Sequence, residues 1–258
     1  MIAAAIGLGL VIGALVGLLG GGGSILAVPA LVYIAGQDLP QAVATSLLVV
    51  GITAVVAVLP RLRKGLIAWR IAILFGLAGA GTAFAGAAVN RLLPDQVTLG
   101  LFAILMIGAG LRMLKDKPAT RAACAVDGGA VNWRRCLPRT IAGGLVVGFL
   151  TGLLGVGGGF MIIPVLVIAL GLPMSTAIGT SLVIVAMNSA AGFAAHVGTT
   201  LDVPVTVAFT ATAVVAALAA GRLGTRAATS RLRRWFAYLV FVVAALVFGQ
   251  VIVSVVAA

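Results

Sequence analysis

Two stretches of bare backbone, rather than any cluster of reactive side chains, are what this sequence offers for chemistry. Gly20, Gly21, Gly22 and Gly23, followed by Ser24, form one glycine run, and Gly155, Gly157, Gly158 and Gly159 form a second. Each run opens a short apolar segment. The first-turn N–H groups of such a segment have no intrahelical partner and carry the positive end of a helix dipole. An end of this kind binds anions, and glycine lets an oxyanion approach the backbone donors that a side chain would screen. Few polar side chains accompany the runs. Thr45 and Ser46, Thr180 and Ser181, and Asn188 stand in otherwise apolar stretches, and Asn188 follows Ser181 by two helical turns, on the same face of a helix. Hydroxyls and amides donate to an anion without the cost of burying a charge. The competing explanations are close helix packing through small residues and hydroxyls bonded back to a carbonyl one turn earlier.

Other chemistry lacks its residues. The chain has no Glu; Asp38, Asp95 and Asp202 fall at expected helix ends, and Asp116 and Asp127 fall in a polar connector. A carboxylate relay for protons or sodium, a metal site and a catalytic triad therefore have no ligands or bases to use, so neither an enzyme nor a bound metal or cofactor is expected. The one histidine, His196, lies near an expected helix end and reads as interfacial. Cys124 and Cys136 both lie in the polar connector, and two reduced loop cysteines are expected rather than a disulfide.

The two glycine runs are copies of each other. At one constant offset, Gly13–Ser24 aligns with Gly148–Gly159, Pro29 with Pro164, Gly36 with Gly171, Ala42 with Ala177 and Thr45-Ser46 with Thr180-Ser181, making sixteen identities between positions 13 and 47. Apolar composition alone would not align Gly, Pro, Thr and Ser together, so the chain reads as a tandem duplication. The first repeat is taken as 1–114, a basic connector as 115–136 and the second repeat as 137–258. A cleavable leader is not expected, since residues 13–47 have a copy in the second half and no Lys or Arg precedes residue 61.

The elements that must hold these residues are set by composition. Of 258 residues 62% are apolar and 9% charged, with a mean hydropathy of +1.28, which no soluble domain tolerates and a bilayer demands. Breakers divide the text into helices at about 2–20, 24–36, 40–60, 66–90 and 95–114, then 138–155, 159–171, 174–195, 202–222 and 234–256. Most approach the roughly 20 residues that cross the hydrocarbon, whereas the second segment of each half, after its glycine run, is too short. The net charge of +12 does not point to nucleic acid: sixteen of seventeen basic residues fall in three short blocks, 61–70, 112–139 and 222–234, as positive-inside topology requires. Trp69, Trp133 and Trp235 each sit beside an arginine of those blocks, at the expected headgroup depth. If residues 1–36 crossed once, the blocks would split eleven charges to five; if they go in and return, all three blocks share one face and only Arg91 opposes them. The expected architecture is an all-α polytopic membrane protein of two inverted-topology repeats, each with a glycine-interrupted hairpin and three crossing helices. The basic loops are then cytoplasmic and both termini outside.

The pattern Gly-Leu-Leu-Gly-x-Gly-Gly-Gly-x-x-x-x-Pro at Gly152–Pro164, its degenerate copy at Gly17–Pro29, and Ala-x-x-Thr-Ser at 42–46 and 177–181 resemble the TauE/SafE family of sulfite exporters over nearly the whole chain. The resemblance implies an inner-membrane carrier of small sulfur oxyanions or organosulfonates, such as sulfite, sulfoacetate or thiosulfate, usually exporting them. Val156 opposite Gly21, and Gly159 opposite Ser24, depart from strict repetition, so the two lobes of a site should not be equivalent. Both routes lead to a small anionic substrate held at the midplane between two glycine-headed helices, with uptake of thiosulfate, or an anion channel, as the alternatives. The oligomeric state is left open.

Overall fold

The computed structural model describes residues 2–21, 27–28, 30–31, 36–90, 92, 104, 107–108, 111, 126–127, 130–131, 133–154, 159–194, 201–224, 238, 241–242 and 245. Its helices are α1 (Ile2–Leu19), α2 (Leu39–Leu62), α3 (Trp69–Asn90), α4 (Trp133–Leu154), α5 (Gly159–Pro164), α6 (Met174–Ala194) and α7 (Val203–Gly224). A π-helical turn, Val165–Ala169, prolongs α5, and two-residue strands Val126–Asp127 and Ala130–Val131 pair antiparallel between the halves. Apart from that small hairpin the described chain is helical, and five helices, α2, α3, α4, α6 and α7, are long and apolar enough to cross a membrane. In hydrocarbon only a helix satisfies its own backbone, which is why such uniformly apolar text folds this way. The stretch from Gly159 to Ala169 reaches only about 16 Å, as the shortness of that segment leads one to expect.

Local signals fix most ends. Pro40 lies in the first turn of α2, where its missing N–H costs nothing. Asp202 caps α7, its Oδ1 accepting the N–H of Val205 at 3.2 Å. The start of α4 differs from expectation: the helix begins at Trp133, not 138, and runs through Pro138. Arg134, Arg135 and Arg139 are exposed there, and a proline this near a helix start leaves only one carbonyl of the first turns without its intrahelical partner. Cys136 is consequently buried in the helix and is disulfide-bonded, contrary to the expectation of reduced loop cysteines. The expected helices 24–36, 95–114 and 234–256, and most of the connector, lie largely outside the described residues.

Packing follows the repeat. The backbone of Gly13 lies against Ala213 and that of Gly17 against Ala217; at the equivalent positions of the second half, Gly148 lies against Gly79 and Gly152 against Ala83. Both seams advance together, so α1 runs parallel to α7 and α4 parallel to α3, and the first helix of each half packs on the crossing helix that follows α2 or α6 in the other. Between them α2 and α6 run in opposite senses: a methyl on Gly51 would sit 3.1 Å from Ser189 Cβ, and one on Gly192 3.2 Å from Leu47 Cδ1. The core gathers around this crossed pair, with Val49, Val50, Ala54, Leu182, Ile184 and Val185 buried, while Leu77, Val146, Val207 and Val215 on the outer helices remain exposed. At the end where α3 and α4 begin, Arg70 Cζ lies 5.5 Å from the centre of the Trp133 ring, a contact worth about 0.5–1 kcal/mol at an exposed site.

Candidate functional site

The two glycine runs meet inside the bundle. Gly20 (φ +64°) and Gly21 (φ +111°) terminate α1, the Gly20 N–H donating to Val16 O at 2.9 Å. They therefore act as the C-terminal cap of the preceding helix and not as the first turn of the next one, because only glycine takes these dihedrals without strain. Gly20 and Gly21 themselves lie against α6 and α5. A methyl on Gly21 would lie 2.8 Å from Val185 Cγ2 and 3.3 Å from Gly159 Cα, and one on Gly159 would overlap the Gly21 carbonyl. The backbones of the two runs are thus in contact at Gly21 and Gly159. Gly22, Gly23, Ser24, Gly155, Gly157 and Gly158 lie outside the described residues.

Ser181 is brought to this junction and Thr180 is turned away from it. The Ser181 hydroxyl is 2.6 Å from Gly20 O and 2.9 Å from Ile178 O, so its hydrogen is held by backbone carbonyls. Thr180 Oγ1 accepts the N–H of Ala68 at 3.0 Å, tying α6 to the link between α2 and α3. Ser46 bonds back to Val43 O at 2.9 Å, the local pattern known from membrane helices. Thr45 Oγ1 is different: the residue is fully buried and the oxygen has no partner among the described residues. Asn188 Oδ1 is likewise buried and unpartnered, and its Nδ2 lies 3.8 Å from where a methyl on Gly79 would be. Buried polar atoms are normally paired, so these two oxygens are open to a further hydrogen bond.

Two residues that sequence reasoning missed belong beside them. Thr53, 1% exposed with an unpartnered Oγ1, is the repeat equivalent of Asn188. The offset finds it once polar residues are compared by position and not by identity. Arg61, grouped by its sequence with the exposed loop charges, is in fact in the last turn of α2 and is 2% exposed. Its guanidinium turns inward, one Nη donating to Ala57 O at 3.1 Å and the other to Gly17 O at 2.7 Å. Composition and spacing carry no signal for this, since an arginine at a helix end ordinarily extends towards water.

A family model described as Sulfite exporter TauE/SafE matches residues 5–247. The chain belongs to this family. A "Probable membrane transporter protein" of Xylella fastidiosa (strain Temecula1 / ATCC 700964) is 38% identical over 181 residues, covering 70% of this chain and 68% of its own length. One from Bacillus subtilis (strain 168) is 29% identical over 208 residues, covering 73% and 76%, and one from Methanocaldococcus jannaschii is 29% identical over 194 residues, covering 73% and 69%. No solved structure matches the chain. Membership makes this TauE/SafE protein a multi-pass membrane transporter and not an enzyme.

Proposed function

We propose that this TauE/SafE protein exports a small sulfur oxyanion, sulfite or an organosulfonate such as sulfoacetate, through the cell (inner) membrane. The observation that carries the reading is the contact of the two glycine breaks, Gly21 on Gly159, inside a bundle whose crossing helices leave Thr45, Thr53 and Asn188 with buried oxygens unpartnered. Around that junction the substrate is held by backbone N–H groups of Gly22, Gly23 and Ser24 and of the run Gly155–Gly159, while Gly20 and Gly21 shape the cap behind them. Ser181 fixes Gly20, Thr45 and Asn188 border the path, and Ser46 and Thr180 hold the backbone around it. The opposed senses of α2 and α6, equivalent helices of the two halves, support an inverted repeat, and inverted repeats place substrates at the membrane midplane. With the three basic blocks on the cytoplasmic face, both termini lie outside. The test is thermal-shift screening of the purified protein with sulfite, sulfoacetate, sulfolactate, taurine, thiosulfate and sulfate, followed by flux in proteoliposomes. Stabilisation by sulfite or a sulfonate with saturable flux is expected. Preference for thiosulfate with net inward flux would move the assignment to uptake, and flux that never saturates would make it a channel.

A further inference from the structure

A buried cation stands one helical turn from the glycine junction, and nothing in the architecture requires it to be charged. Arg61 is 2% exposed although its chain neighbours Leu62, Arg63, Lys64 and Gly65 are all exposed. An arginine so close to a helix end can reach water at little cost; this one turns inward and lies along the last turn of α1. Among the described residues no carboxylate forms an ion pair with it; Gly17 O and Ala57 O, both neutral, are its hydrogen-bond acceptors there. Capping the orphan carbonyl of Gly17 is useful, but a neutral donor would do that, whereas burying an uncompensated guanidinium is costly. The group has five N–H donors in a planar fork suited to paired oxygens, and two of them are used. Gly221 of α7 packs beside it, a methyl there lying 3.5 Å from one Nη, an ordinary van der Waals contact.

We infer that Arg61 is a substrate-binding residue, receiving the oxyanion at the basic end of the bundle before it reaches the junction of Gly21 and Gly159. The anion supplies the countercharge that the protein withholds, and the carbonyls of Gly17 and Ala57 hold the fork in place between visits. A carrier with no acid within its described membrane-crossing helices thereby gains selectivity for anions from one fixed charge. This inference rests on reading the substrate as an oxyanion.

Arg61→Gln and Arg61→Lys, purified and reconstituted in oriented proteoliposomes, test it with sulfite, thiosulfate and methanesulfonate as probes. Gln should raise the KM for sulfite at least tenfold on the face carrying Arg63 and change it less than threefold on the opposite face. Thiosulfate, a dianion, should lose more than methanesulfonate, a monoanion. Lys should fall between Gln and native protein, and it carries the test alone if the Gln variant does not fold. An unchanged KM on both faces, or an equal loss on both faces for every anion together with a lower melting temperature, would reduce Arg61 to a helix cap. If native protein saturates with none of the probes, the oxyanion reading itself fails and takes this one with it; saturation by native protein with unaltered variants removes Arg61 alone.

Discussion

A buried hydroxyl without a partner is a liability unless something transient uses it, and this gives a way to tell structural polar residues from ligand-facing ones. Thr45 and Thr53 bury oxygens that no group among the described residues engages. Replacing either by valine removes that cost, so Thr45→Val and Thr53→Val should melt at or above the native temperature in detergent. If the substrate uses the hydroxyls, the same variants should bind it about 1–2 kcal/mol more weakly. Unchanged affinity in a stabilised variant would take that threonine out of the path. Ser181 should behave in the opposite way. Its hydroxyl serves Gly20 O and Ile178 O, and Ser181→Ala strands a buried carbonyl, so a loss of about 1–3 kcal/mol in stability is expected. Chemical denaturation of the two variant classes separates the roles, and a Ser181→Ala protein as stable as native would show that the hydroxyl contributes nothing at the cap.

Helices in this protein touch through glycine and alanine, so element-level stability depends on space more than on affinity. Gly13→Leu would push a side chain into the backbone of Ala213, and Gly148→Leu, its repeat partner, into that of Gly79. Both should abolish a cooperative melting transition, and a well-folded Gly148→Leu variant with native flux would disprove the close-packed seam. How much of this is legible in the sequence depends on what each residue encodes. Gly20 and Gly159 are visible because glycine and proline constrain the backbone directly, so their repetition at a fixed offset marks the breaks. The partners across each seam are not: a helix that is apolar all round carries no periodic face to say which neighbour it meets. Counting charges treats Arg61 as a loop residue, because a count is blind to the direction a side chain takes. The start of α4 reads too late, since Arg134, Arg135 and Pro138 look like a loop when a proline this near a helix start still permits a helix. The role of Gly20 and Gly21 is also displaced by one element, because a glycine run at a break serves the helix behind it as readily as the one ahead.

At the scale of the whole molecule, the orientation and the energetics are linked through one charge distribution. In a background lacking Cys124 and Cys136, Arg63→Cys and Leu92→Cys place thiols at exposed positions before and after α3. An impermeant thiol reagent should reach the first only from the cytoplasm and the second only from outside, and labelling of Arg63→Cys in intact cells would invert the topology. With no Glu in the chain and no aspartate within the described membrane-crossing helices, the simplest export cycle moves the anion alone. The potential then drives it outward by roughly 2.3 kcal/mol per charge per 100 mV, about a fiftyfold gradient for a monoanion. Flux in proteoliposomes should carry net charge and follow an imposed potential; electroneutral flux abolished by collapsing a proton gradient would refute this. The exchanged seams also bear on how the protein is made. Gly13 meets Ala213, so α1 enters the membrane long before the surface it packs against has been synthesised, and its glycine face must wait in lipid until α7 arrives. Docking of α1 is therefore late: in a nascent chain truncated before α7, α1 should stay sensitive to membrane proteases while α3 and α4, already joined through Gly79 and Gly148, should not, and co-expressing residues 1–114 with 115–258 as separate polypeptides should rescue both fragments from degradation where neither survives alone.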